Sequence, residues 1–235
     1  MPNYSQLNPE LLVATVEQLS KRVGERFPQA GLFKVSRHLC DIATESRKRV
    51  SKSARRSIWI RCLIGLLLVL LMAGIAMSVA AFKIQPKPGS VTWLEFVQVL
   101  ESGINDIILV GAGIFFLASL ENRMRRRRIL KALHELRSLA HVIDMHQLTK
   151  DPQRAAGVLI ATPSSPRSEL SPDQLIRYLD YCSEMLSLVG KLAALYLQRS
   201  DDAVVLSTVD EIEGLTTGLS RKIWQKLMII HAGPK

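Results

Sequence analysis

The stretch Cys62–Phe82, CLIGLLLVLLMAGIAMSVAAF, decides how the chain is read. None of its 21 residues is charged. An α-helix rises about 1.5 Å per residue, so this run reaches about 30 Å, the hydrocarbon thickness of a bilayer. A helix of a soluble domain keeps a polar face, and this one has no such face, which predicts a membrane span. It begins after sixty polar, patterned residues and is too long for the apolar part of a signal peptide, so an uncleaved span is expected.

A second apolar run, Ile107–Leu120 (IILVGAGIFFLASL), is too short to cross alone. The residues before it extend it. Thr92 and Glu95 have the spacing of a capping box, a helix-start signal. Trp93, Leu94, Phe96, Val97, Val99, Leu100 and Ile104 then supply apolar positions. Glu95, Gln98, Glu101, Ser102, Asn105 and Asp106 fall within about 140° of helical arc. A helix therefore starts near Thr92, carries one polar stripe, and becomes apolar all round at Ile107. Its part from about Val97 to Leu120 is long enough to span.

Pro86, Pro88 and Gly89 interrupt the chain between the two runs, so residues 83–91 read as a short extracytoplasmic loop in an antiparallel hairpin. Orientation follows from the placement of Lys and Arg. Arg47, Lys48, Arg49, Lys52, Arg55, Arg56 and Arg61 precede the first run; Arg123, Arg125, Arg126, Arg127, Arg128 and Lys131 follow the second. The loop offers Lys83 and Lys87 alone. The formal net charge of +10 is thus concentrated beside the apolar runs, and both termini are expected in the cytoplasm. Cys40, Cys62 and Cys182 are far apart and none lies in the loop, which fits a reducing compartment and excludes a disulfide scaffold or a clustered cysteine zinc site.

The remaining chain reads as helices. Asn8-Pro9-Glu10 combines an N-cap, a first-turn proline and an acid at the positive helix end. Leu12, Val16, Leu19 and Val23 follow at helical spacing, then Leu32, Val35, Leu39 and Ile42 on a second helix. Residues 1–57 are therefore the N-terminal cytoplasmic helices, 58–82 the first span and 92–120 the interfacial and second span. Ile129, Leu133, Leu136, Ala140 and Ile143 extend that helix inward over 121–150, until Asp151-Pro152 stops it. The Ser/Pro-rich residues 161–172 complete a linker, 151–172. Ser171-Pro172-Asp173-Gln174 opens a helix with Leu175, Leu179, Cys182, Leu186, Val189, Ala193 and Tyr196 on one face. The phase of the apolar stripe reverses at Ser200-Asp201-Asp202 before Val205, Val209, Ile212, Leu219, Ile223, Leu227 and Ile230, so 173–235 is expected to be an antiparallel helical hairpin. Gly214 and Gly218 weaken its last helix and point to close packing or a bend.

Three constellations are candidate sites. The stripe Glu95, Gln98, Glu101, Asn105, Asp106 would line a cation vestibule in a ring of subunits, or lie wetted at the outer interface. Nothing polar continues it through Ile107–Leu120, which favours the interface. Arg123, Arg125, Arg126, Arg127 and Arg128 form a lipid-facing basic cluster that sets topology and attracts anionic headgroups; no nucleic-acid-binding signature accompanies it, so no nucleic-acid partner is expected. His134, Arg137, His141 and Asp144 share about 80° of one helix face. They read as a polar seam bordering a bundle core: His134 and His141 are two turns, about 10 Å, apart, too far to share one ion, and HExxH is absent.

Small residues recur in both apolar runs, among them Gly74 and Ser78, and Ala76 and Ala80, at spacings that let helices approach closely. Neither run holds a histidine for haem, and Walker, GxGxxG and GxSxG motifs are absent. The expectation is an all-α integral membrane protein, a two-span hairpin with a cytoplasmic helical bundle. It is expected to be non-enzymatic and without a cofactor or metal, and to assemble as a homo-oligomer or with a protein partner. The alternative is a homo-oligomeric cation channel or transport subunit with an acidic outer vestibule.

Overall fold

A computed structural model of the chain describes residues 6–53, 58–84, 93–155, 163, 170–198 and 200–231. Among these residues the structure is all-helical, without a strand. The helices are α1 (Pro9–Arg26), α2 (Gly31–Ser53), α3 (Ile58–Ile84), α4 (Trp93–Leu148), α5 (Pro152–Ala155), α6 (Pro172–Leu197) and α7 (Ala203–His231). The chain divides into two compact units, Met1–Ala54 with Arg127–Lys235, and Arg55–Arg126.

The first unit is a helical bundle. Asn8 starts α1: its side-chain oxygen accepts the N–H of Glu10 at 2.8 Å and of Leu11 at 3.3 Å. These are two of the donors that a helix N-terminus leaves unpaired. Leu12, Val16, Leu19 and Val23 are buried against α2, whose Leu32, Leu39 and Ile42 are buried in turn. Between the two helices the Ser20 and Ser36 hydroxyls meet at 3.0 Å, so each buried hydroxyl has a partner.

Helix α6 is the centre of this bundle. Ser171 begins it with a full capping box: its hydroxyl accepts the Gln174 N–H at 3.3 Å, and the Ser171 N–H donates to the Gln174 side chain at 3.0 Å. Sequence periodicity marked one apolar face, yet Tyr178, Tyr181, Met185, Leu188, Leu192 and Leu195 outside that face are buried as well. The reason is that α6 packs against α1, α2, α5 and α7. A helix hydrophobic most of the way round belongs in the middle of a core. Phe27, at the end of α1, sets its ring edge-on to Tyr178 at 5.5 Å and to Tyr181 at 6.2 Å.

α7 folds back on α6 after a turn at Ser200-Asp201-Asp202, where the Asp202 carboxylate accepts the N–H of Val204 at 3.0 Å. Val205, Val209, Ile212, Ile223 and Leu227 are buried, and Leu186 and Ile223 have no exposed surface. Open space lies where a Cβ would go on Gly214 and Gly218, so among the described residues neither sits at a close approach.

α4 is a single helix of 56 residues. Within the bundle unit its Ile129, Leu133, Leu136, Ala140 and Ile143 are buried. In the other unit its apolar residues are open: Leu109 is 71% exposed and Phe115 75%. Among the described residues α4, over Leu100–Leu148, is the one helix long and apolar enough to cross a membrane; Cys62–Met77 in α3 is a shorter apolar stretch. In that unit a methyl on Gly113 would lie 3.8 Å from Leu67 Cδ1, an ordinary van der Waals contact between α3 and α4. The Thr92 cap, the Pro86–Gly89 break, the continuity of α2 into α3 and most of the Ser/Pro-rich linker lie outside the described residues.

Candidate functional site

The polar seam on α4 separates into three environments. Arg137 reaches α7, where its guanidinium pairs with Glu211 at 3.1 Å. Asp144 accepts the Gln147 side-chain amide at 2.6 Å. His134 and His141 are exposed. No group of three or more His, Cys, Asp or Glu side chains among the described residues could hold a metal ion.

Just beyond the seam, the C-terminal end of α4 is tied to α7. The half-buried Lys226 ammonium donates to the carbonyls of Gln147 at 2.6 Å and Lys150 at 3.1 Å. The Gln147 carbonyl also accepts the Lys150 N–H at 3.2 Å, and the cation sits at the negative end of the α4 dipole. Burial lowers the Lys226 pKa, opposed by the Asp144 and Asp151 carboxylates. Cys182, buried nearby in α6, has its thiol pushed up to about 12 by burial, which keeps it protonated and unreactive at neutral pH. Gln147 is buried, and its side-chain oxygen has no partner among the described residues. His146 packs its ring on the start of α2, so a Cβ placed on Gly31 would lie 2.5 Å from His146 Cε1. Burial and the Lys150 charge lower the His146 pKa.

Sequence reasoning missed this junction because its members come from distant helices. Lys226 sits beside the apolar stripe of α7 at ordinary helical spacing, and nothing local marks it as a cap for another helix. The polar layer at the opposite end of the helices was equally hidden. There Tyr196 on α6 donates its hydroxyl to Ser46 at 3.0 Å, and Arg49 bridges Glu45 at 3.2 Å and Glu135 at 3.3 Å. Only the Glu45–Arg49 spacing was visible in the sequence.

On the other candidate residues, Gln98, Glu101 and Asn105 are exposed and Asp106 partly so; the side chain of Glu95 lies outside the described residues. Arg123, Arg125, Arg126, Arg127 and Arg128 are all exposed, with Glu121 one turn before Arg125. On the bundle, an open cleft of about 650 Å³ runs between α1, α6 and α7. Leu12 and Leu227 form its apolar edges, Ser183 and Ser187 line it from α6, and Trp224 stands beside it with 63% of its surface exposed.

The chain matches no known protein family, no curated protein and no solved structure.

Proposed function

We propose that this protein is a membrane-anchored helical scaffold. It crosses the bilayer twice, through Cys62–Phe82 and about Val97–Leu120, with both termini on the cytoplasmic side. Its helical body assembles with a second copy or with a protein partner, and its chemistry is the packing of amphipathic faces rather than catalysis. The observation that carries this reading is the change of character along α4. Its apolar residues up to Leu120 are open, whereas from Ile129 to Ile143 its apolar stripe is buried. An exposed apolar surface of this length needs a hydrocarbon solvent or a partner. The basic residues beside both apolar runs support the orientation.

The test uses the full chain in membranes. The protein is expected to stay in the pellet after alkaline carbonate washing. A cysteine at Gly89 is expected to react with an impermeant maleimide in intact cells, and one at Ser165 to stay unlabelled. Release by carbonate would remove the anchor, and the reverse labelling pattern would invert the topology. In detergent, a particle larger than one chain with its micelle is expected if the body self-associates.

A second reading, cation conduction, draws on the exposure of Gln98, Glu101 and Asn105 along one face of α4.

A further inference from the structure

We propose that two copies of this chain pair antiparallel through the outward face of α7, about a two-fold axis level with the midpoint of Gly214 and Thr217. The proposal rests on the assembly reading and names its surface and its occupant. Asp210, Gly214, Thr217 and Arg221 follow one another at steps of four, three and four residues, and all four are exposed. At about 100° per residue, Asp210 and Arg221 point within about 20° of each other, about 16 Å apart along the helix. The same steps continue to Trp224 and Met228 in one direction and to Ser207 and Ala203 in the other, and these four are exposed as well. Trp224 leaves 63% of its surface open and Met228 49%. The line runs along the side of α7 away from Val205, Val209, Ile212, Thr216 and Ile223, which the bundle buries.

The line is complementary to its own reverse. A two-fold axis brings each position opposite its mirror about the midpoint. Asp210 then meets Arg221 of the second copy, and that pair occurs twice. Trp224 meets Ser207 and Met228 meets Ala203, large against small at both ends, while Gly214 meets Thr217 in the middle. A foreign partner requires no such mirror symmetry of charge and size, and a second copy does. A parallel pair would set Asp210 beside Asp210 and Trp224 against Trp224. A seam that repeats every 3.5 residues on average is the spacing that keeps two helices in contact along their length. Among the described residues Asp210 and Arg221 form no ion pair, so both charges are open to the second copy. Trp224 is the large, rigid kind of side chain that dominates protein interfaces. With Trp224 and Met228 between them, the two axes keep an ordinary separation of about 8–10 Å, and a methyl group at Gly214 fits there.

The full-length protein is purified in detergent, and its mass, corrected for bound detergent, is read by light scattering as the concentration is lowered. Two chains per particle are expected. Arg221→Asp sets acid against Asp210 at both ends and is expected to raise the dissociation constant at least about tenfold. Adding Asp210→Arg restores both pairs and is expected to return the constant close to that of the wild type. Both positions are exposed, so the helix content of the variants is expected to stay unchanged. Register is read in membranes by mild copper-catalysed oxidation, with Cys40 and Cys62 replaced by Ser. Asp210→Cys combined with Arg221→Cys is expected to give a cross-linked dimer, and either substitution alone little. A wild type with one chain per particle, a dimer indifferent to Arg221→Asp, or a double reversal that restores nothing overturns the pairing and leaves the scaffold reading to another surface or partner. Cross-linking by Asp210→Cys alone, as strong as by the pair, also overturns it. Release from membranes by carbonate with the pairing intact removes the anchor and leaves the pairing standing.

Discussion

Leu186 has no exposed surface and packs in the same core as Ile223 across the α6–α7 hairpin, which also has none. A carboxylate there would have no cation within the apolar core, and an unpaired buried charge is among the most destabilising changes a domain can suffer. Leu186→Asp is expected to cost about 4 kcal/mol, a large share of the stability of a bundle this size, seen as a collapse of the urea midpoint. An unchanged midpoint would mean that α6 and α7 do not share a core. His146 makes a subtler statement. Burial and Lys150 hold its folded-state pKa below the ordinary 6.5, so the unfolded chain binds more protons as the medium acidifies. Its contribution to stability is therefore whole above about pH 6.5 and is lost as pH falls through the lower folded value. Melting midpoints of the wild type and of His146→Gln, compared at pH 7.5 and 5.5, are expected to show a smaller acid-induced drop in the variant. Equal drops would assign the acid sensitivity to other groups.

Among the elements, α7 is weaker than its burial requires. Gly214 and Gly218 lie inside the helix with open space where a Cβ would go. Replacing Gly214 by Ala removes backbone freedom from the unfolded chain at no steric cost, so the bundle is expected to gain about 0.8 kcal/mol. Calorimetry of the purified protein checks this. A loss of stability, together with a smaller particle in detergent, would instead show that a second chain packs its backbone against Gly214. The helices themselves were legible in the sequence because their signals are local. Asn8-Pro9-Glu10 and Ser171-Pro172-Asp173-Gln174 are caps that act within four residues, and the stripes of α1, α2, α4 and α7 face one way, as a 3.6-residue period requires. What stayed hidden was non-local. The burial of Tyr178, Met185 and Leu192 depends on how many helices surround α6, which no window of sequence records. Lys226 caps a helix that ends 78 residues before it, between Leu148 and its own position in α7. The close packing or bend expected at Gly214 and Gly218 finds no neighbour for either glycine among the described residues, because small residues permit an approach without causing one.

For the whole molecule, the acidic stripe offers the sharpest choice between anchor and conductor. If the protein conducts, Glu101→Gln with Asp106→Asn lowers the local cation concentration and shifts the reversal potential towards zero under a salt gradient. The expected outcome is no conductance from the wild type in planar bilayers, because the stripe ends where Ile107–Leu120 begins. A cation-selective current that the double variant alters would overturn that expectation. The central place of α6 also imposes an order on biosynthesis. α1 and α2 leave the ribosome before residue 172, yet the helix they both pack against is made after them. At about 5–20 residues per second, the growing chain presents several greasy helix faces for seconds with nothing to close over them. Protection by a chaperone, or by the membrane surface, is therefore a need of the nascent chain that ends once α6 has been delivered.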